Sequence, residues 1–381
     1  MLKYATIFIL FSAFEIPALS DSLPAEKHYK NASAYHTIGE FEQAISEYKK
    51  AIALDPKSPI FYNRLGIAYS ELKQYDAALD AYQAALVLSP MTAEPHYNMG
   101  LVYLKKGIFS NATEAFEQAI ALDPNWEDAY AGLGEVRLKQ GDFQKAVRAY
   151  EKAALLNPKS AGTILGLSKV YAKQGRLDDA ITTIEKVIKI QVDNTEAHYQ
   201  LAQAYIKQGE KEKAAATMAF FKVLRQTDPL LQEAEMWVKR HTDDARGYNN
   251  LGIVYLARHR FSDAIANYKR AISLDPTLAT AHYNLGHAYH KQEKINLAIA
   301  AYQKALAADT TLAIAHNNIA VCYIESGSEL DKALFHARTA VRLAPTEANY
   351  WDTLFQICTV LGLEDEAQYA REKQEAYSRE K

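Results

Sequence analysis

The chain has 381 residues, 49% of them apolar, with 25 Tyr and with 43 Lys and Arg against 46 Asp and Glu. That composition supplies ample material for a buried core, and the near balance of charge disfavours a nucleic-acid partner, which needs a basic stripe to neutralise several phosphates. Two cysteines in a chain of this length do not make a disulfide-stapled scaffold.

The first residues differ from everything that follows. Lys3 gives a positive start, Tyr4 to Phe14 is an apolar run, and Ala18-Leu19-Ser20 offers small residues for cleavage. The pattern predicts a secretory signal peptide over 1–20 and an exported chain, periplasmic or secreted. The alternative is an uncleaved N-terminal membrane anchor, although the run is shorter than the roughly 20 residues that span a bilayer and Glu15 interrupts it. After cleavage no segment is expected to insert into a membrane.

Past this point a fixed period governs the sequence. Pro56, Pro90, Pro124 and Pro158 recur every 34 residues, each after an apolar run closed by Asp, Ser or Asn. With that proline as the thirty-second place, units begin at Ala25, Pro59, Ala93, Glu127, Ala161 and Thr195. The second unit carries Tyr62, Leu65, Gly66 and Tyr69, then Ala78, Tyr82 and Ala85; the third carries His96, Met99, Gly100, Tyr103, Ala112, Phe116 and Ala119. Spacings of three, four and seven put each set on one helical face, so each unit is predicted to be two antiparallel helices. Gly107, Gly141, Gly175 and Gly209 supply the turn inside the pair, and the proline ends the second helix. Small residues at the eighth, twentieth and twenty-seventh places let backbones approach, and the aromatics fill the hollows between neighbouring pairs.

The phase breaks after residue 228 and resumes at Ala245 with Tyr248, Leu251, Gly252, Tyr255, Ala264, Tyr268, Ala271 and Pro276. Further units begin at Ala279, where Thr310 replaces the proline, and at Ala313, with one residue inserted near Gly327. The stretch 229–244 is predicted to be one extra helix, because Asp228-Pro229 is a good helix start and Leu230, Ala234, Trp237 and His241 share a face. It either pads a joint or serves as a hinge or dimer contact exposing Trp237. At the end, Trp351, Leu354 and Cys358 keep a first-helix face, while Arg371 and Gln374 replace apolar signatures, as a solubilising cap would. The expected organisation is thus a signal peptide (1–20), six repeats (25–228), a linking helix (229–244), three repeats (245–347) and a degenerate repeat with a capping helix (348–381).

These recurrent residues resemble the tetratricopeptide repeat family over about 25–378. The resemblance implies an all-α, right-handed α-solenoid of antiparallel helix pairs that binds a protein or peptide in its concave groove and catalyses nothing. The alternative is an assembly factor of an envelope or secretion complex acting through convex or end surfaces; a regulatory part of an enzyme is the remaining reading. In the family a ladder of asparagines grips an extended peptide backbone, which points here to Asn250, Asn284 and Asn318 at the sixth place and to Asn98 earlier. Asn249, Ile253, Tyr283, His287, Asn317 and Val321 are expected to line the same trough. Lys105, Lys139, Lys173 and Lys207 share the thirteenth place, with Lys291 resuming the series, so they either form an electrostatic ladder favouring acidic peptides or are solvated residues common at that place.

No phosphate loop, nucleophile elbow or paired-cysteine motif appears, and no cofactor is implied. His28, His96, His198, His282 and His316 all hold the fourth place, where the fold wants a large packing residue. His287 and His290 lie on the opposite face without a third ligand in register, so no metal is expected. Cys322 and Cys358 fall on neighbouring first helices, either bridged or as two small core residues.

Overall fold

The computed structural model of the chain describes residues 22–379. The expected signal peptide, 1–20, lies outside the described residues. Among these the chain is an all-α solenoid of helical repeats, and it divides into two compact units at Val187/Ile188.

The first unit pairs α1 (Ser22–Thr37) with α2 (Phe41–Leu54), α3 (Pro59–Glu71) with α4 (Tyr75–Leu88), α5 (Ala93–Lys105) with α6 (Phe109–Leu122), and α7 (Glu127–Lys139) with α8 (Phe143–Leu156). It continues through α9 (Ala161–Lys173) into α10 (Leu177–Ile190). The second unit pairs α11 (Thr195–Gln208) with α12 (Lys211–Arg240), α13 (Ala245–Ala257) with α14 (Phe261–Leu274), and α15 (Ala279–Lys291) with α16 (Ile295–Ala308). It closes with α17 (Ala313–Glu325) on α18 (Leu330–Leu343) and α19 (Ala348–Leu361) on α20 (Glu364–Arg379).

Packing follows the small-large-small signature. Ala298 and Ala305 of α16 and Ala264 and Ala271 of α14 are wholly buried, and between each pair stands a wholly buried Tyr302 or Tyr268. Those rings fit only because the facing place is glycine: a methyl group on Gly286 would lie 2.5 Å from Tyr302 Cδ1. Successive first helices also touch, α3 with α5, α5 with α7, α7 with α9, α13 with α15 and α17 with α19. The second helices α2, α4 and α6, or α14 and α16, approach one another less closely, so within each stack the first helices line the tighter side.

The turn between units depends more on its acidic residue than on its proline. Oδ1 of Asp55, Asp123 and Asp275 accepts the backbone N–H two residues on, at 3.1, 3.0 and 2.9 Å. Asp309 does the same for Thr311 at 2.9 Å although Thr310 stands where proline is usual. An Asx turn therefore preserves the corner when the proline is lost.

The stretch 229–244 departs from the sequence expectation. It is not an additional helix: Pro229 lies inside α12, which runs unbroken for 30 residues to Arg240. A mid-helix proline removes the donor that the Arg225 carbonyl would use and strains the turn before it, and the carbonyls just ahead of that turn take other donors. Thr227 Oγ1 donates to the carbonyls of Val223 (2.8 Å) and Leu224 (3.1 Å), and Arg258 Nη1 donates to the Leu224 carbonyl at 3.2 Å. Arg258, 4% exposed, also binds Asp193 Oδ2 through Nε (2.9 Å) and Asp228 Oδ1 through Nη1 (2.7 Å).

Thr195 and Ala245 lie 50 residues apart, one 34-residue period plus 16. Counting back one period from Ala245, residues 227–240 hold the places of a second helix, as residues 211–224 do for the unit that starts at Thr195. The hydrogen-bond register agrees. Tyr255 Oη donates to Glu235 of α12, twenty places earlier, as Tyr171 Oη of α9 donates to Glu151 of α8, also twenty places earlier. Thus α12 is two second helices fused end to end, and the turn and first helix that should separate them are missing. Of its 30 residues only Ala214 and Leu224 are buried.

Candidate peptide-binding face

Apart from Asn98 on α5 of the first unit, the residues expected to line a trough sit on the first helices of the second unit, at the fifth, sixth and ninth places of each repeat. Their side chains do more for the fold than the sequence suggests. Asn284 Nδ2 donates to Asn249 Oδ1 of the preceding first helix at 2.9 Å, and Asn98 Nδ2 donates to Asn63 Oδ1 at 3.1 Å. Asn318 Nδ2 reaches Tyr283 Oη at 3.2 Å and Tyr302 Oη at 3.5 Å. In each case the sixth place donates to the fifth place of the previous repeat, 35 residues back. These amides therefore stitch first helix to first helix rather than standing free in a trough, and Asn249 and Asn317 are buried, at 7% and 8% exposure.

Two asparagines fall outside the stitch, each for a reason written in its neighbours. Asn317 Oδ1 is buried with no hydrogen-bond partner among the described residues. The next sixth place is Thr353, whose hydroxyl donates to its own helix at the Asn349 carbonyl (3.1 Å). Asn250 is exposed and makes no hydrogen bond among the described residues, because the first helix that would carry its acceptor is the one missing before α13.

Around these amides the face is apolar and aromatic. Ile253 is 44% exposed, Val321 is half-buried, and Tyr283 stacks at a tilt on Tyr302 with centroids 5.6 Å apart. His287 meets Tyr283 edge-on at 6.4 Å. Burial, helped by nearby Lys291 and His290, pushes its imidazole below the ordinary histidine range, so it is neutral at pH 7. The surface offers apolar contact, amide edges and a neutral imidazole, with no strong charge.

Lys105, Lys139 and Lys173 are the last residues of α5, α7 and α9, Lys291 is the last of α15, and Lys207 is next to last in α11. All five are exposed, and none forms an ion pair among the described residues. A cation at a helix C-terminus is favoured by the helix dipole, which accounts for lysine there without a ligand.

The remaining polar groups are consumed by structure. The cleft of about 500 Å³ beside α13 and α14 holds Asp193, Arg260 and Asp263, but Arg260 binds Asp263 at 2.8 Å and Asp193 at 3.9 Å. His290 pairs with Glu325 at 2.7 Å. Among the described residues no three His, Cys, Asp or Glu cluster as metal ligands would, and no helix is long and apolar enough to cross a membrane. Cys322 and Cys358 are free, buried thiols in one core cluster, raised by burial to about 12 and about 11 and so protonated at neutral pH. The buried Arg258 joint was missed at sequence level; only its odd place, one before a turn residue, distinguishes it from a solvated arginine.

Comparison with known proteins bears on these repeats. Residues 24–228 match the family model described as the cilia and flagella-associated protein 70 C-terminal domain, 254–293 match a TPR repeat model, and 279–309 match a tetratricopeptide repeat model. No curated protein sequence matches. Among solved structures, the MamA protein is 27% identical, with 44% of this chain and 91% of that one covered and a TM-score of 0.39. A tetratricopeptide repeat protein from Parabacteroides merdae is 18% identical (70% and 98% covered, TM-score 0.47). PilW, described as a widely conserved type IV pilus biogenesis factor, is 22% identical (51% and 90% covered, TM-score 0.48).

Proposed function

Because the chain belongs to the tetratricopeptide repeat family, we propose that it is a non-catalytic scaffold that holds a peptide or partner segment along the first-helix face of α13, α15 and α17. The observation that supports this most is the character of that face: Ile253, Tyr283, His287 and Val321 give it apolar and aromatic contact without strong charge, beside the unpartnered amide of Asn250. A face of mixed apolar and amide character suits a segment whose backbone must be hydrogen-bonded and whose side chains are partly buried. The partner is a protein, and within the second unit the helix-end Lys207 and Lys291 favour acidic segments at its ends, so that binding weakens as salt rises. Export belongs to the same proposal and rests on the residues from Lys3 to Ser20; a mass measurement on the protein from its host should show loss of about twenty residues.

The test is capture with the full chain as bait, followed by affinity measurement on whatever is retained. Replacing all three sixth-place asparagines would confound binding with stability, since two of them join repeats. Ile253→Glu together with His287→Glu avoids this, because neither side chain donates or accepts in the stitch. The pair should weaken a captured partner by about ten-fold or more and leave the melting temperature nearly unchanged. A partner retained at parental affinity would move the binding surface elsewhere on the repeats.

A further inference from the structure

The fused helix α12 leaves a place in the stack without its helix. In a complete repeat the second helix is covered by its own first helix and by that of the next repeat. The C-terminal half of α12 has only the latter: Leu231, Ala234 and Val238 pack toward Leu251 and Tyr255 of α13. Where its own first helix should lie there is a cleft of about 400 Å³, floored by Leu230, Ala234 and Trp237 and walled by Asn250 and Val254. Leu230 and Trp237 are 50% and 49% exposed, a large apolar area to leave in water.

Two features say what fits there. The first is the unpartnered amide. Asn98, Asn284 and Asn318 all donate to the fifth place of the preceding first helix, while Asn250, at the same place, opens into the cleft with nothing to donate to. The second is the floor. Six of the repeats present small, large, small at the twentieth, twenty-fourth and twenty-seventh places, as in Ala264, Tyr268 and Ala271, and there the facing helix carries a small residue at its eighth place, glycine in α13 and α15, whereas α18 reads Ala333, Ala337 and Ala340. Here the same places read Leu230, Ala234 and Trp237, large, small, large. Trp237 is held in position by Asp244 Oδ2, which accepts from its indole N–H at 2.8 Å, and by Gly247, whose lack of a side chain makes room for the ring. A helix lying on this floor needs one bulky side chain over Ala234, between Leu230 and Trp237, with small residues to either side.

We propose that this half-repeat is an acceptor for an amphipathic α-helix of another protein, of about the 13-residue length of α13, α15 and α17, which takes the place of the missing first helix. It sets a bulky apolar side chain over Ala234 and a hydrogen-bond acceptor opposite Asn250. A second copy of the chain is a poorer occupant, because it would have to unpack one of its own helix pairs to supply the helix. The inference rests on the reading of the chain as a binding scaffold; the cleft adjoins the α13 end of that face and shares Asn250 with it, while Ala234 and Trp237 belong to the cleft alone.

The test uses the full chain and two fluorescent, side-chain-stapled helical peptides. One has the sequence 59–71, a first helix of the ordinary pattern, with its fifth-place acceptor Asn63. The other inverts that pattern with Tyr62→Ala, Gly66→Leu and Tyr69→Ala and keeps Asn63. Anisotropy titration should show saturable binding of the inverted peptide, at least about ten-fold tighter than the ordinary one. In the protein, Ala234→Phe should fill the cleft and abolish binding, and Asn250→Ala should weaken it about five-fold. His287→Glu should leave it unchanged, so a failure here is separable from a failure of the α15 and α17 face. Equal affinity for the two peptides, no saturation up to about 1 mM, or indifference to Ala234→Phe in a variant with parental circular dichroism would overturn the proposal. So would a homodimer, seen by light scattering, that Ala234→Phe dissolves, since the second copy would then be the occupant.

Discussion

Adding a single methyl group to Gly286 tests the packing scheme most directly. In an exposed helix interior, glycine to alanine is favourable by about 0.8–1 kcal/mol, because alanine restricts the unfolded chain and suits the helix. At Gly286 the new Cβ would sit 2.5 Å from Tyr302 Cδ1, well inside van der Waals contact. The ring cannot step aside: it is wholly buried, stacked at a tilt on Tyr283 and contacted by Asn318 Nδ2 at its hydroxyl. Overpacking of this kind costs about 1–3 kcal/mol, and with a ring so confined the upper part of that range applies. Gly286→Ala should therefore lose about 1–2 kcal/mol net despite the helix-propensity gain. Gly162 provides the control, since a methyl group there meets nothing within 4 Å; Gly162→Ala should be neutral or stabilising by up to about 1 kcal/mol. Urea unfolding combined with hydrogen exchange at the amides of α15 and α16 separates the local effect from the rest of the array. If Gly286→Ala is as stable as the parent, the interlock of the eighth and twenty-fourth places does not hold these repeats together as argued.

Other perturbations read different parts of the molecule. Lys73 and Glu293 hold turn places that glycine occupies elsewhere, with φ of 58° and 60°, so Lys73→Gly and Glu293→Gly should each raise stability by about 0.5–1 kcal/mol in thermal melts. Arg258→Leu leaves Asp193 only its longer contact with Arg260 and uncovers the Leu224 carbonyl near Pro229; unfolding of the second unit should become easier by about 3 kcal/mol, toward the lower end for a broken buried pair because Asp228 is half-exposed and Asp193 keeps Arg260 nearby. His336 is pushed down to about 4 by burial and by the adjoining His316, whose Nδ1 lies 2.8 Å from its own. The unfolded chain thus binds more protons than the folded one between the ordinary 6.5 and about 4, and stability should fall as pH drops through that window. Melting temperatures measured across it should show a slope that His336→Gln flattens.

Much of the fold could be read from the sequence because its information is local. The 34-residue spacing of the prolines and the glycine and alanine places mark helix boundaries directly, and Gly107, Gly141, Gly175 and Gly209 do adopt left-handed φ. Pro229 misled because a proline after an aspartate is a sound local signal for a helix start, and what ties this stretch into the stack is remote: Arg258, twenty-nine residues on, binds the Leu224 carbonyl and Asp228 on either side of the turn before it. The asparagines misled for a related reason. Their positions were legible, but whether an amide faces a ligand or the neighbouring helix depends on what sits 35 residues earlier, which single-helix periodicity does not report. The exposure of Asn250 could have been inferred, since the phase shift of half a period removes its partner.

The Arg258 joint also sets an order of events in folding. Most contacts in these stacks are formed within a helix pair or between adjacent pairs, and such topologies fold quickly because little chain entropy is lost before contacts form. Arg258 instead binds Asp193 across 65 positions, where Tyr255 and Glu235 meet across 20. Closing the longer loop costs about 1 kcal/mol more, and it draws together residues on α12 that must already be helical. The joint should consequently form after the rate-limiting barrier. Removing it should accelerate unfolding while leaving the refolding rate nearly as it was, so that this one arginine governs how long the second unit persists more than how fast it assembles.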